Sequence, residues 1–246
     1  MVADIEKTVA DQVSNLLDAG LEGDRETMIQ RLSVVSYIRL RDYWLPFMNA
    51  QGKFVSGTTF NMIWARYAFD RRLRLLVFDA IERIEVAVKA QLISALGREE
   101  ELSQLTFGAL RREFEQADTK SVKSTIARTF GVHHVVLSSW LETLLVVRNV
   151  VAHHGRLWNR QMGERPKIPN KDAAWHSPVE IDASRLFGVL SICRYCLRRI
   201  APQSSWQNRL EALFSEFPMI PLERIGFPAN WRDSTIWSAD WRSSSW

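Results

Sequence analysis

The stretch RNVVAHHGRLWNR, residues 148–160, places Arg148, Asn149, His153 and His154 at the end of a run that is otherwise almost wholly apolar from Trp140 onward. An imidazole can take or give a proton near neutral pH, a guanidinium can offset charge building on a phosphate, and an amide can position either. No paired carboxylates and no tight metal-ligand spacing accompany them. The set suits attack of an RNA 2′-hydroxyl on its neighbouring phosphate, with His153 as base or acid and Arg148 countering charge on the pentavalent phosphorus. Neither a metal nor an organic cofactor is expected.

Helix geometry restricts how these groups can meet. Trp140, Leu141, Leu144, Leu145, Val146, Val147, Val150, Val151 and Ala152 would ring nearly the whole circumference of a helix, so Arg148, Asn149 and His153 cannot all avoid apolar surroundings. Burying such groups without partners costs several kcal/mol, which implies a polar network, a bound anion or a second subunit. At about 100° per residue, Asn149 and His153 share a face, whereas Arg148 and His153 stand about 140° apart. Either the helix loosens before Gly155, or Arg148 and His153 of two copies meet across a twofold axis.

The elements that must hold this stretch read as helices. From Asp70 to Leu96 the apolar residues Leu73, Leu76, Val77, Ala80, Ile81, Ile84, Val88 and Leu92 recur at three and four, with Asp70 as N-cap, Gly97 at the stop and a Glu85–Lys89 pair on the polar face. Residues 25–42 form another helix, 52–60 a loop or short extended piece, and 107–117 and 119–130 two shorter helices. Ser139 and Glu142 make a capping box that opens the helix carrying the motif, which Gly155 ends. Asp182 caps a helix running to about Ile200, and Ser204 or Ser205 opens the last, to about Phe217. The segment 218–246, with four of the ten tryptophans, is irregular chain laid on the core.

The 246 residues, 46% hydrophobic and 24% charged, support one all-α domain over 1–246 with its core at about 25–217. The N-terminus lacks the apolar run of a signal peptide, and Glu142, Arg148 and Asn149 interrupt the most apolar stretch, so neither secretion nor a membrane span is expected. Two cysteines, Cys193 and Cys196, make no disulfide framework and fit a reducing cytoplasm as small core residues. The formal charge of +4 permits a polyanionic partner without demanding one. The adjacent His133 and His134 lack the spacing of helical metal ligands.

RNVVAHHGRLWNR resembles the signature of the abortive-infection (Abi-like) proteins: Arg-Asn, then Ala-His-His, then Arg-Leu-Trp-Asn. YIRLRDYWLPF (37–47) is similar to that family's tyrosine-rich segment ending in Pro-Phe, although Tyr37-Ile38 stands where two tyrosines are usual. The run at 57–90 matches its Thr-Phe, Phe-Asp-Arg and Leu-Arg stretch followed by Ile-Glu, and LTFGAL (105–110) and GFPANW (226–231) resemble two further landmarks.

The resemblance implies a HEPN-like helical bundle with additional helices and an irregular Trp-rich C-terminal tail. It further implies a metal-independent endoribonuclease, active as a homodimer on an RNA substrate, of phage-defence type or a toxin restrained by an RNA or protein antitoxin. Arg148, Asn149 and His153 satisfy Arg-x4-His; His154 satisfies the x5 spacing, and His153 is preferred because it shares a face with Asn149.

Other readings accompany these. Arg156, Trp158, Asn159 and Arg160 either hold RNA backbone and stack a base, or pin and turn the loop after the helix. Glu142 either caps its helix or orients Arg148. The motif as a whole could instead serve a non-catalytic module that binds RNA or an antitoxin, or a polar dimer clamp.

Overall fold

The computed structural model describes residues 8–117, 120–163 and 165–238, among which there are ten α-helices and no β-strand. Trp241 and Trp246 lie outside the described residues. Two compact units divide the chain between Arg71 and Arg72.

The first unit holds α1 (Val9–Asp18), α2 (Arg25–Val35), α3 (Tyr37–Trp44) and the start of α4 (Phe60–Leu96). Thr8 opens α1 by taking the Asp11 N–H while Asp11 takes the Thr8 N–H, a reciprocal pair that satisfies two amides left over at a helix start. The helix expected over 25–42 is two helices. Ser36 sits at φ 69° and separates them, its N–H bonded to Leu32 O at 3.0 Å, so the chain turns where an apolar pattern alone reads as continuous. Residues 45–59 form an irregular connection with isolated bridges Glu22–Thr59 and Met48–Phe54. Val13, Leu16, Met28, Leu32, Leu40, Trp44, Phe60 and Ile63 are buried in this unit.

α4 begins ten residues earlier than its periodicity suggests. Asp70 is no N-cap: it lies within the helix, fully buried, and accepts the Tyr43 hydroxyl at 2.6 Å. A carboxylate without such a donor would not tolerate that place.

The second unit takes the rest of α4 and adds α5 (Glu99–Ser103), α6 (Phe107–Gln116), α7 (Lys120–Thr129), α8 (His134–Ala152), α9 (Leu186–Ile200) and α10 (Trp206–Glu216). α8 packs against α6, α7 and α9. By length and mean hydropathy, 1.5 over its best window, α8 could cross a bilayer. One side of it packs in the core, with Leu137, Trp140, Leu141, Leu144, Val147 and Val151 buried, while Val135 and Val146 are exposed.

Aromatic rings carry the C-terminal packing. Trp140 lies 5.3 Å from Trp175 and 5.5 Å from Tyr195, centroid to centroid. Between α10 and residue 238 the chain is irregular apart from short 3-10 turns at Leu222–Ile225 and Trp231–Asp233. It returns Phe227, Trp231 and Trp237 to the core, and Trp237 Nε1 donates to Ser191 Oγ at 2.9 Å. Asp182 does not cap α9. It takes the Ser184 N–H at 2.8 Å in the preceding turn, and α9 starts at Leu186.

Candidate functional site

α8 opens at His133, not at Ser139. The His133 Nδ1 accepts the Val135 N–H at 3.3 Å, which adds a turn and a half before the expected capping box. Ser139 Oγ accepts the Lys167 N–H at 2.9 Å instead, and the Glu142 carboxylate pairs with Arg111 of α6. Both side chains are therefore committed to tertiary contacts. Glu142 neither caps the helix nor reaches for Arg148.

The helix stays regular up to its final turn. His153 is the C-cap, exposed, and its N–H still bonds Asn149 O at 3.0 Å, so Asn149 and His153 do share a face. The turn beyond it is not made by glycine as expected. His154 takes the left-handed conformation at φ 59°, and Gly155 follows with its N–H on Val150 O at 2.7 Å. A Cβ on Gly155 would lie 2.9 Å from Val150 Cγ1 and 3.1 Å from Val150 O. Gly155 therefore answers a close backbone approach rather than a positive φ.

Arg148 is half-buried, on a different azimuth from His153. It donates weakly to Asn149 Oδ1 at 3.5 Å, while its Nε is enclosed without a hydrogen-bond partner among the described residues. The geometry thus brings Arg148 to Asn149, and Asn149 to the face of His153. It does not bring Arg148 onto His153 within one chain.

A further group enters that the sequence places only on a polar helix face. Glu85 of α4 is half-buried, and burial raises its carboxyl above the usual glutamate range. The positive charge of Arg148 pulls it back down, with a smaller pull from Lys89, and nearby Glu82 pushes it up. Glu85 is thus a carboxylate within electrostatic reach of Arg148. Its signal in the sequence was the Ile84-Glu85 pair of the resembling run, which spacing read as half of an i, i+4 pair.

Residues after the helix divide by burial. Trp158 is 2% exposed, so its ring has no open face for a base and pins the loop to the core. Asn159 turns the chain at φ 55°, Arg156 is half-buried, and Arg160 is exposed. Cys193 and Cys196 are buried free thiols. Burial drives Cys193 far up and Cys196 to about 12, leaving both as packing groups. His133 and His134 lie 4.1 Å apart, ring to ring, and no cluster of three metal-ligating side chains occurs among the described residues.

Comparison with curated proteins and with solved structures returns no match. A known family does match. Its description is Abi-like protein, and it aligns over residues 30–105 and 101–159, more than half of the chain, including Tyr37–Phe47, α4 and the motif at the end of α8. With an all-helical structure presenting Arg148, Asn149 and His153 at that end, the chain belongs to the Abi-like family, which is linked to abortive infection in phage defence.

Proposed function

We propose that this protein is a metal-independent endoribonuclease, acting as a homodimer whose two α8 ends together form the site. The observation that carries the reading is an exposed imidazole, His153, at the same helix end as a half-buried guanidinium, Arg148, whose Nε is enclosed and has no hydrogen-bond partner among the described residues. One chain supplies them on different azimuths, so a second copy is needed to converge them on one phosphate.

In the reaction, the His153 imidazole of one protomer takes the 2′-hydroxyl proton. The 2′-oxygen forms a bond to phosphorus, the bond from phosphorus to the 5′-oxygen breaks, and the protonated His153 of the partner subunit gives the leaving oxygen its proton. Arg148 offsets the extra charge on the non-bridging oxygens, and Asn149 fixes the geometry. The products are a 2′,3′-cyclic phosphate and a free 5′-hydroxyl. Such an enzyme would act on cytoplasmic RNA as a defence effector, held in check by an antitoxin, RNA or protein, until infection.

The test is incubation of purified dimer with single-stranded RNA in the presence of EDTA, with end-group analysis of the fragments. Cleavage that survives the chelator and leaves cyclic phosphate ends is the expected result. Cleavage that appears only when a divalent ion is added overturns the mechanism.

Glu85 gives this reading a second handle. Its raised pKa means that the folded state favours the protonated carboxyl, so the contribution is fully present below the ordinary glutamate pKa and is lost as pH rises through the higher folded value. Glu85→Gln is therefore expected to gain thermal stability relative to wild type as pH climbs through that window. At pH values where Glu85 is ionised, cleavage should nonetheless fall by about tenfold, roughly 1.4 kcal/mol in the transition state, because Arg148 loses a negative charge that acts on it. Melting curves across pH, measured beside initial rates, check both. Rate and stability falling together would assign Glu85 a purely structural role.

A further inference from the structure

An open cavity of about 270 Å³ lies between α6, α8 and the connection that follows α8. Its lining includes Arg111, Ser138, Glu142, Thr143, Arg165 and Lys167. We infer that this cavity is a phosphate subsite, holding a backbone phosphodiester of the same RNA strand at a nucleotide away from the scissile bond. The inference rests on the ribonuclease reading for its position and on the cavity's own chemistry for its ligand.

Charge comes first. Three cations and one carboxylate, Glu142, line the cavity itself, while Glu115, which takes the Ser138 hydroxyl, and Asp182, which Arg165 acts on electrostatically, lie outside the lining. Arg111 pairs with Glu142 through one terminal nitrogen, but its Nε is enclosed and without a hydrogen-bond partner. Ser138 and Thr143 line the same space, but their hydroxyls donate to Glu115 and to Ser139 O, so the side-chain donors left to a ligand there are those of the three cations. Guanidinium and ammonium groups around a pocket of this size are donors that a phosphodiester takes.

The backbone that carries Lys167 is itself fixed at the cavity. Trp140 Nε1 donates to Lys167 O at 2.8 Å, and the Lys167 N–H donates to Ser139 Oγ at 2.9 Å. These two bonds clamp the connection onto α8 at the cavity, and a fully buried tryptophan makes one of them.

Position ties the cavity to the candidate site. Ser138, Glu142, Asn149 and His153 fall within about 60° of one another around α8. The eleven residues from Glu142 to His153 cover about 16 Å along the axis. A strand passing His153 and running along the exposed face of α8 therefore meets the cavity a few phosphates later, with exposed Val146 between. A metal ion has no place there, because the lining is cationic.

The experiment measures anisotropy of a fluorescein-labelled single-stranded oligouridylate across a salt series, with His153→Ala as background so that the probe stays intact. Arg165→Gln/Lys167→Gln is expected to weaken binding about tenfold at low salt and to lower the slope of log K against log salt by roughly 0.7, the loss of one phosphate contact on a single strand. Arg224→Gln, an exposed cation elsewhere, supplies the nonspecific baseline. Lys167→Arg should keep most of the affinity that Lys167→Gln loses, and an unchanged melting temperature shows that the fold is kept.

An unchanged slope, or a loss no larger than that of Arg224→Gln, overturns the inference. The two readings fail separately. A salt slope that drops as expected in a protein that never cleaves keeps the cavity and removes the catalysis; EDTA-resistant cleavage with no change in slope does the reverse.

Discussion

Replacing His153 by alanine is expected to remove RNA cleavage, with turnover lower by about 10²- to 10⁴-fold, while affinity for an oligoribonucleotide changes little. The split follows from where the side chain stands. His153 is exposed at the C-cap of α8 and its backbone, not its ring, completes the helix, so alanine leaves the last hydrogen bond in place. A proton-transfer group at such a position can be deleted without disturbing the fold, and its loss falls on the transition state. Arg148→Ala should match it in rate but also weaken binding, because a guanidinium beside the phosphate acts on both ground and transition states. In cells, induced wild type should arrest growth and create new RNA ends, and His153→Ala should do neither. Equal growth arrest by both proteins, without new ends, would point to a binding module that sequesters its partner. Dissociation of the proposed dimer by Arg148→Ala, with rate and stability lost together, would make the motif a clamp between subunits.

The largest stability effect is expected at Trp140. Its ring is fully buried between Trp175 and Tyr195, and its Nε1 donates to Lys167 O at 2.8 Å. Trp140→Ala leaves a cavity that two other rings cannot close and strips a partly buried carbonyl of its donor, for a loss of about 3–5 kcal/mol in urea unfolding. In a chain of this size that lowers Tm by about 6–20 °C. Trp140→Phe keeps most of the volume and loses the bond, so it should cost about 1–2 kcal/mol. A loss under about 1 kcal/mol for the alanine variant would mean that the connection after α8 is not anchored by this ring. The same variant should weaken RNA binding at low salt through Lys167, which depends on that anchor.

These expectations draw unequally on sequence and on structure. Periodic apolar spacing reflects local chain geometry, and it located most of α4, α6, α7, α9 and α10 to within a few residues. The spacing of Asn149 and His153, four residues apart on one helix, fixed their shared face in the same way. Boundaries held less well wherever a polar side chain had two uses. Asp70 has the chemistry of a cap, yet it lies inside α4 because Tyr43, distant in the chain, supplies its donor. Ser139 and Glu142 have the spacing of a capping box, but Lys167 and Arg111 claim them, and His133 starts the helix. Ser36 breaks an apolar pattern that could have continued.

By itself, then, the amino-acid order determined the all-helical class, the motif and the faces its residues occupy, because each depends on neighbours a few positions away along a regular helix. Only the tertiary structure decided that Glu85 answers Arg148, that Trp158 is sealed in the core, and that Arg111, Arg165 and Lys167 gather around one cavity. The partner of a charge, and the water or protein that surrounds it, are set by which distant segments pack together, and no local spacing encodes that choice.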